Sequence, residues 1–332
     1  MTRITVLAGG VGGAKFLRGL RTEAARRWPD GAGGTSAELT AVVNTGDDAW
    51  LAGLRITPDL DSILYALAGV NDEQRGWGRA GESERVSAEL RAYGVGWPWF
   101  TLGDLDLGTH IARTSWLREG APLGEVVTRL SSRWPLGVRL LPMTEQEVET
   151  QVEVEDGGRT RLMHFQEWWT RYRASLPALR FVQPGVDRAE AAPGVIEAIA
   201  SADVVVFAPS NPVVSIGTIL AIPSLARAVR DTRAPVVGVS PIVGGAPVRG
   251  MADACLAAIG VETGAAAVAL HYGSRASGGL LDGWLMDTVD ESEAESIRGA
   301  GIAAAARPLL MTDLPASAAI AGAALDLADS LR

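Results

Sequence analysis

Residues 8–20 read AGGVGGAKFLRGL and come directly after the apolar run Ile4–Leu7. Apolar side chains then recur at helical spacing, at Phe16, Leu17, Leu20, Ala24 and Trp28. This order predicts a strand, a glycine turn and an amphipathic helix. A second apolar run, at residues 39–43, ends in NTGDD. Strand, helix and strand at this spacing predict a parallel crossover unit.

The glycine-rich stretch has the composition of a nucleotide-phosphate loop, yet it matches neither familiar pattern. A dinucleotide fingerprint that starts at Gly10 needs a third glycine where Lys15 stands. A Walker loop needs Ser or Thr after the lysine, and Phe16 follows here. Glycines still let backbone N–H groups converge at a helix start, where the partial positive charge favours anions. A simple tight turn is the alternative to a phosphate-binding site made by Gly9, Gly10, Gly12, Gly13 and Lys15.

The carboxyl-terminal half repeats the alternation of strands and helices. Residues 203–208 form a strand pattern that ends in PSNP, and a helical pattern runs from about Ser215 to Arg230. Residues 235–239 predict the next strand, and residues 251–259 the next helix. Apolar strands that alternate with helices predict an α/β protein with a Rossmann-like, doubly wound and mostly parallel sheet covered on both faces.

The pattern changes in the middle of the chain. Apolar and polar residues alternate over 147–155, DGG follows, and a second strand pattern reaches Phe165. This arrangement predicts a half-exposed antiparallel hairpin. We therefore expect a smaller α+β subdomain at 136–185, inserted into a nucleotide-binding core formed by 1–135 and 186–332.

Composition excludes several classes of function. The chain has 39 acidic and 30 basic residues, a formal net charge of −9, and no dense basic cluster, so nucleic acid and anionic membranes are not expected partners. Cys255 is the one cysteine, which excludes an intrachain disulfide and a cysteine-based zinc cluster. We read no export signal and no membrane span. These features favour a cytoplasmic protein that acts on small molecules.

Carboxylates follow the second strand pattern and precede the next helix. Asp47 and Asp48 end the NTGDD stretch, and Asp61 ends PDLD. A solvent-exposed turn and a helix cap would explain these carboxylates without any role in function. Alternatively, carboxylates at the sheet edge that carries the glycine stretch suit Mg²⁺, which combines one or two carboxylates with phosphate oxygens. We predict Asp47 and Asp61 as magnesium ligands, and Asp47, Asp61 or Asp48 as the acceptor of a proton in catalysis.

Three further stretches carry polar side chains suited to ligand binding: GDLDLGTH at 103–110, HFQEWW at 164–169 and APSNPVVSIGTIL at 208–220. The paired tryptophans predict either core packing or a cover for an aromatic ligand. The proline-rich turn predicts either a stiff connection or a helix start that receives phosphate. The candidate binding residues from these stretches are Asp104, His110, His164, Ser210, Asn211, Ser215, Gly217 and Thr218.

Taken together, these stretches resemble one family, the 2-phospho-L-lactate transferases of coenzyme F420 biosynthesis. The similarity runs nearly end to end, through GGVGGAKFLRGL, VVNTGDDAWLAGLRITPDLDSILY, RGWG, GDLDLGTHIART, LLPM, HFQEWW, APSNPVVSIG, SPIVGGAPVRGMAD and LLMTD. The resemblance implies a Rossmann-like core with a smaller second domain, a homodimer, and Mg²⁺ as cofactor. It also implies the reaction, in which the terminal ribityl hydroxyl of the deazaflavin FO attacks the distal phosphorus of a guanosine diphosphate-activated three-carbon acid and GMP leaves.

The resemblance further implies a donor and site residues. The donor is lactyl-2-diphospho-5'-guanosine in archaeal members and the enolpyruvyl counterpart in actinobacterial ones, which gives dehydro-F420-0 rather than F420-0. RGWG and HFQEWW look actinobacterial, so we favour the enolpyruvyl donor. Asp47 and Asp61 match the family's carboxylates around Mg²⁺ and FO, while residues 9–13 and 210–211 match its nucleotide side. Leu105 stands where many members have arginine, which weakens the prediction for Asp104.

Two other functions compete with the transferase. A nicotinamide-dependent oxidoreductase would explain the sheet, but the third glycine is missing and the Asp47 and Asp61 pair would have no role. A non-catalytic regulator that binds a nucleotide sugar is the better rival, because a related family shares the glycine stretch and a PSNP-like turn. Its members are less similar to this chain in the DDAW, PDLD and HFQEWW stretches, so we prefer the transferase.

Overall fold

The computed structural model describes residues 1–332 and contains fourteen strands and twelve α-helices. The strands are β1 (Arg3–Ala8), β2 (Glu38–Val43), β3 (Ala49–Leu51), β4 (Leu54–Ile56), β5 (Arg139–Pro142), β6 (Gln151–Asp156), β7 (Arg159–His164), β8 (Ala178–Val182), β9 (Val204–Phe207), β10 (Val236–Val239), β11 (Ile242–Val243), β12 (Ala246–Pro247), β13 (Gly283–Met286) and β14 (Ala303–Ala306). The helices are α1 (Gly10–Arg27), α2 (Pro58–Ala68), α3 (Arg85–Ala92), α4 (Asp104–Arg118), α5 (Leu123–Ser131), α6 (Val195–Ala200), α7 (Ile216–Ala221), α8 (Pro223–Asp231), α9 (Ala252–Ala258), α10 (Ala265–Tyr272), α11 (Ala294–Gly299) and α12 (Leu314–Asp329). None of these helices has both the length and the apolar character that a membrane crossing requires.

Seven strands form one parallel sheet in the order β14-β13-β10-β9-β1-β2-β5. The prediction of a Rossmann-like, doubly wound α/β fold is therefore confirmed. β1 pairs with β2 on one side and with β9 on the other. The chain therefore first extends the sheet on one side of β1 and later extends it on the other side, so the strand order reverses at β1. Open parallel sheets bind ligands beyond the carboxyl ends of their strands at such a point.

Helices cover both faces of this sheet. Successive β1 side chains point to opposite faces, so Val6 belongs to the core under α1, α2 and α12, whereas Leu7 belongs to the core under α6 to α11. Every residue of β9 and β10 is buried. Burial on both sides explains why these strands read as continuous apolar runs in the sequence.

The glycine stretch and one helix differ from the sequence-based expectation. Helix α1 already begins at Gly10, with Gly9 as its N-cap, so the glycines form the first helical turn rather than a separate loop. The helix predicted from Ser215 to Arg230 is two helices, α7 and α8. Ile222 is extended between them because a residue before proline is disfavoured in the helical region and Pro223 lacks an N–H.

A small antiparallel sheet, in the order β7-β6-β8, confirms the predicted hairpin and adds a third strand. Its tight turn has Gly157 and Gly158 at positive φ, of 59° and 77°. The predicted boundary at residue 136 is wrong for β5, which pairs with β2 as the edge strand of the main sheet. The small sheet itself spans residues 151–182, and the rest of the division into core and insert stays a prediction.

Helices α1 and α12 touch backbone to backbone at Gly19. A Cβ atom there would lie 2.3 Å from the carbonyl carbon and oxygen of Ser317. No real Cβ atom comes this close to backbone atoms, so a side chain at position 19 would push the two helices apart. This contact fixes α1, whose amino-terminal turn lies at the ligand-binding edge of the sheet.

We expect Gly19→Ala to lower the free energy of unfolding by about 1–3 kcal/mol, the usual cost of overpacking. Gly108→Ala is the matched control, because Gly108 lies inside α4 with open space around its Cβ position. It should raise stability by about 0.5–1 kcal/mol, since alanine is the better helix former. Urea unfolding of both variants measures this difference, and equal effects would contradict the close packing of α1 on α12.

Candidate functional site

A cleft of about 520 Å³ lies beyond the carboxyl ends of the central strands. The start of α1, the turn after β2, the start of α2 and the turn after β9 form one part of its wall. Segments at 76–78, 99–102, 165–170 and 248–252 form much of the remaining wall, to which α4 contributes Asp106 and His110. The predicted residues that line this cleft are Gly9, Gly10, Gly12, Lys15, Asp47, Asp61, His110, Ser210, Asn211 and Ser215.

Other predicted residues do not line the cleft. Asp104 accepts hydrogen bonds from the Ser83 N–H at 2.9 Å and from its hydroxyl at 2.8 Å, so it fastens the start of α4. Gly217 is packed so that a Cβ would lie 2.7 Å from a backbone oxygen, and Thr218 is fully buried beside it. Gly13 likewise permits close packing, since a Cβ there would lie 2.9 Å from that of Ala8. In this structure these four residues pack against or cap secondary-structure elements, and none of them lines the cleft.

Asp48 and His164 also lie beside the cleft rather than in it. Asp48 is completely buried, and neither carboxylate oxygen has a hydrogen-bond partner. Burial raises the pKa of Asp48 well above its usual range, and the guanidinium of Arg55, 3.5 Å away, opposes the rise. His164 Nε2 lies 3.1 Å from the Asp48 backbone oxygen, and burial lowers the pKa of His164. Neither side chain therefore lines the cleft, and the proton-accepting role of Asp48 and the ligand-binding role of His164 stay predictions.

The turn after β9 packs directly on the start of α1. Ser210 Oγ donates a hydrogen bond to the Gly9 oxygen at 2.7 Å and accepts one from the Gly9 N–H at 3.0 Å. A Cβ at Gly12 would lie 2.3 Å from the Pro209 oxygen. Asn211 Oδ1 accepts two backbone N–H bonds within its own turn, at 2.9 and 3.1 Å. The cleft wall is therefore held rigidly by the residues predicted to bind ligand.

A protein carboxylate lies where the sequence suggested a phosphate. Asp59, which the sequence-based selection missed, accepts a hydrogen bond from the Gly10 N–H at the start of α1 and another from Asn44 Nδ2 at 2.8 Å. Burial raises the pKa of Asp59 to about 6, while these hydrogen bonds act to lower it. The motif PDLD could have indicated Asp59 from the sequence, because this carboxylate directly follows Pro58, where α2 begins.

Asp47 shares the Asn44 amide with Asp59. Asn44 Nδ2 lies 3.3 Å from Asp47 Oδ1, and both carboxylates are buried, with exposed fractions of 7% and 5%. Burial and the neighbouring charge of Asp59 raise the pKa of Asp47 well above its usual range. One neutral amide cannot offset two negative charges, whereas a divalent cation bound by carboxylate oxygens would offset them. These residues therefore fit a magnesium ion.

Asp61 belongs to a second buried group, which joins α2 to α4. Arg113 Nη2 donates to Asp61 Oδ1, and Arg113 Nη1 lies 2.8 Å from His110 Nδ1. A guanidinium only donates, so His110 Nδ1 must accept and its proton is assigned to Nε2. That nitrogen faces Asp106 Oδ1 at 3.3 Å, and the Tyr65 hydroxyl donates to the same oxygen at 2.7 Å.

This second group has the spacing of a metal site but the bonding of a hydrogen-bond network. Candidate ligand atoms of Asp61, Asp106 and His110 lie within 4.8 Å of one another. The assigned proton on His110 Nε2 excludes that nitrogen as a metal ligand in this arrangement. Burial acts to raise the pKa of Asp106, but His110, the Tyr65 hydroxyl and Arg113 lower it overall. The network therefore keeps Asp106 ionised and holds Asp61 at the cleft wall.

Aromatic side chains form another part of the wall. Trp99 and Phe100 line the cleft, and Trp97 stacks behind Trp99 with ring centroids 4.8 Å apart. The two tryptophans of HFQEWW separate, because Trp168 is completely buried in the core whereas Trp169 lines the cleft. Core packing is therefore confirmed for Trp168, whereas the cover for an aromatic ligand stays a prediction for Trp169. The aromatic residues of GWPWF at 96–100 could have indicated the rest of this wall from the sequence.

Known proteins match this chain over nearly its whole length. The family model described as 2-phospho-L-lactate transferase CofD matches residues 4–306. Proteins named phosphoenolpyruvate transferase from Streptomyces griseus and Streptomyces coelicolor are each 56% identical to this chain over 330 residues, which covers 99% of both partners. A protein of the same name from Thermobifida fusca is 55% identical over 330 residues, with the same coverage.

Solved structures support the fold. Two structures of a UPF0052 family protein from Bacillus halodurans match with TM-scores of 0.60 and 0.61 at 17% and 19% identity. Each covers 98% of this chain, and this chain covers 98% and 99% of theirs. At such identity the likeness extends to the fold alone. The family match over nearly the whole chain confirms the prediction of a transferase, and this protein belongs to the 2-phospho-L-lactate transferase CofD family.

Proposed function

We propose that this transferase acts in coenzyme F420 biosynthesis and transfers the phosphoenolpyruvyl group of enolpyruvyl-2-diphospho-5'-guanosine to FO, giving dehydro-F420-0 and GMP. One observation carries the proposal: buried carboxylates, the start of α1 and an aromatic wall meet in a single cleft. Relatives that are 56% identical and named phosphoenolpyruvate transferase support the enolpyruvyl donor over the lactyl one. The same relatives disfavour a non-catalytic regulator.

The two substrates would occupy different parts of the cleft. Trp99, Phe100 and Trp169 offer faces on which the deazaflavin ring of FO would stack. Beside the Asp59 carboxylate, the first turn of α1 and the turn at Ser210 and Asn211 would form the wall against which the nucleotide lies. The ribityl hydroxyl of FO would then reach the phosphorus beside the carboxylates.

The reaction needs positioning and charge neutralisation more than covalent chemistry from the protein. A bond forms between the FO hydroxyl oxygen and the phosphorus that carries the enolpyruvyl group, the bond to the bridging oxygen breaks, and that oxygen leaves with GMP. Asp59, whose pKa of about 6 leaves it mostly ionised at neutral pH, would accept the hydroxyl proton. Arg113 and Thr57 hold Asp61 in its orientation through hydrogen bonds to its two oxygens.

Asp47 and Asp61 would hold Mg²⁺, with Asp59 beside Asp47. When bound, the ion supplies neutralisation of the charge on the phosphate oxygens. The raised pKa of Asp47 supports this assignment, because burial next to another carboxylate penalises the charged form when no cation is present. We keep as parts of the proposal a homodimeric assembly, which the family resemblance implies, and a cytoplasmic location, which the single cysteine favours.

We expect Asp47→Asn to lower kcat at least a hundredfold, because losing a metal-bound carboxylate costs about 3 kcal/mol of transition-state stabilisation. FO-dependent release of GMP from the enolpyruvyl donor with Mg²⁺ measures this. Asp104→Asn is the matched control, since Asp104 binds only Ser83 and the start of α4, and its turnover should stay within about twofold.

A folded Asp47→Asn protein with full turnover would contradict the assignment of Asp47. Binding of FO and donor without release of GMP would instead favour the regulator. With both activated acids in competition, the mass of the product identifies the donor, because dehydro-F420-0 has two hydrogens fewer than F420-0. A predominant F420-0 product would contradict the enolpyruvyl assignment.

The raised pKa of Asp59 predicts how stability depends on pH. The group titrates near 3.9 when unfolded and at about 6 when folded, so between these values the folded state binds more protons. The free energy of unfolding therefore falls as pH rises through this window. Asp59→Asn removes the titrating group, so its stability should fall less than that of the wild type between pH 4 and pH 7.

Urea unfolding at about pH 4 and pH 7 measures this difference. At pH 7, MgCl₂ should stabilise the wild type more than Asp47→Asn or Asp59→Asn, because the ion offsets the buried charges. Asp104→Asn again serves as control and should respond to MgCl₂ as the wild type does. Identical pH profiles for Asp59→Asn and the wild type would contradict the raised pKa.

A further inference from the structure

A second chamber, of about 390 Å³, adjoins the cleft. Helices α1 and α2 and residues from the 71–78 and 311–317 segments line it. Lys15, Trp77 and Arg249 line both the chamber and the cleft, so these side chains lie at the junction between the two.

Lys15 is the only lysine in the chain, and all the other basic residues among the 30 are arginines. Its ammonium group donates one hydrogen bond, to the Met311 oxygen at 3.2 Å, and forms no ion pair with a carboxylate. An ammonium has three N–H donors, so two are left for a ligand. Arg18, the next basic residue on α1, is already paired with Glu73 at 2.6 Å. Lys15 is therefore a positive charge at the junction without a carboxylate partner.

Arg249 reaches the junction from the segment that follows β12. It forms no hydrogen bond or ion pair within the chain, although its guanidinium packs closely over Gly76. A Cβ at Gly76 would lie 2.1 Å from Arg249 Nη2, and Gly76 has a φ of +77°. Glycine at position 76 thus lets the guanidinium lie across this loop with its N–H groups free.

The cleft has more acidic than basic lining residues. Its acidic lining residues are Asp47, Asp59, Asp61 and Asp106, whereas Lys15 and Arg249 are its only lysine or arginine. Arg113, which neutralises Asp61, is 1% exposed and lies behind the wall. The basic side chains available to a substrate with several negative charges therefore lie at the junction.

We propose that Lys15 and Arg249 form one oxyanion-binding site, which holds an anionic group of the donor at the junction. An ammonium acts as a point charge and a guanidinium as a planar fork, and both bind phosphate and carboxylate oxygens. The donor offers this chemistry twice, in the diphosphate of the nucleotide and in the carboxylate of the three-carbon acid. The identification of the donor rests on the proposed function, but the site itself does not.

The single lysine makes a direct test possible. Expression with ¹³Cε-labelled lysine labels Lys15 alone and leaves its ammonium group unmodified, so a single NMR resonance reports this site. GDP, inorganic phosphate and phosphoenolpyruvate are titrated separately, with guanosine as the uncharged control. We expect a saturable shift of the Lys15 resonance with at least one anion and none with guanosine.

The three anions distinguish the two sources. Saturation by GDP or inorganic phosphate assigns the site to a phosphate, whereas saturation by phosphoenolpyruvate alone assigns it to the carboxylate. If none of the anions shifts the Lys15 resonance, the proposal is wrong.

Variants test the contribution of each residue. Lys15→Met and Arg249→Gln should each weaken binding of the effective anion about ten- to a hundredfold, as expected for loss of a charge-assisted hydrogen bond. Lys15→Arg should lose less, because it keeps the charge. Unchanged affinity in Lys15→Met and Arg249→Gln would overturn the proposal.

A pair of glycine variants separates the position of Arg249 from general strain. Gly76→Ala places a Cβ against the guanidinium, whereas Gly31→Ala introduces alanine at a similar φ of +81° with nothing within 4 Å. Only Gly76→Ala should weaken anion binding. Equal affinities in the two variants would contradict the role of the guanidinium position.

Turnover separates this proposal from the proposed function. If Lys15→Met and Arg249→Gln keep both kcat and KM for the donor while Asp47→Asn loses GMP release, the transferase assignment stands and the oxyanion site fails. If no GMP is released but GDP still shifts the Lys15 resonance, the oxyanion site stands and the proposed reaction fails.

Discussion

The contact between the Ser210 hydroxyl and both backbone groups of Gly9 holds the site together. It joins the turn after β9 to the first turn of α1, at the point where the strand order of the sheet reverses. Glycine is required next to it because a Cβ at position 12 would overlap the Pro209 oxygen. With these two turns locked together, the start of α1 faces the cleft in one orientation.

That orientation places Asp59 at the positive end of α1 and brings Asp47 next to it through Asn44. Packing two carboxylates together in a buried wall costs stability, which the raised pKa values of both groups express. Strain of this kind is typical of functional sites, where ligand or metal completes the charge balance. Lys15 and Arg249, which line both the cleft and the adjoining chamber, carry positive charge without a carboxylate partner. The cleft thus combines buried carboxylates with two free cationic side chains, which suits a substrate with several negative charges.

Hydrophobic pattern was sufficient to predict the parallel sheet, because strands buried on both faces must be apolar throughout. The hydrophobic pattern was insufficient where tertiary contacts decide which sheet a strand joins or which conformation a segment adopts. Residues Arg139–Pro142 read as part of the insert, yet β5 completes the edge of the main sheet by pairing with β2. The glycine stretch read as a loop because glycine is a poor helix former, but close packing against Pro209 and Ser210 requires glycine within a helix.

The amino-acid pattern alone predicted the α/β class and placed Asp47, Asp61 and Ser210 at the strand ends that form the cleft, and the resemblance to a known family predicted the transferase. Local sequence could not separate Asp104 from Asp106 or Trp168 from Trp169, since each pair shares composition and context. Folding separates them: successive helical positions face different neighbours, so Asp106 meets Tyr65 and His110 while Asp104 binds Ser83. The pairing of Asp61 with Arg113, 52 residues away in the chain, likewise depends on the packing of α4 against α2, which no local pattern encodes.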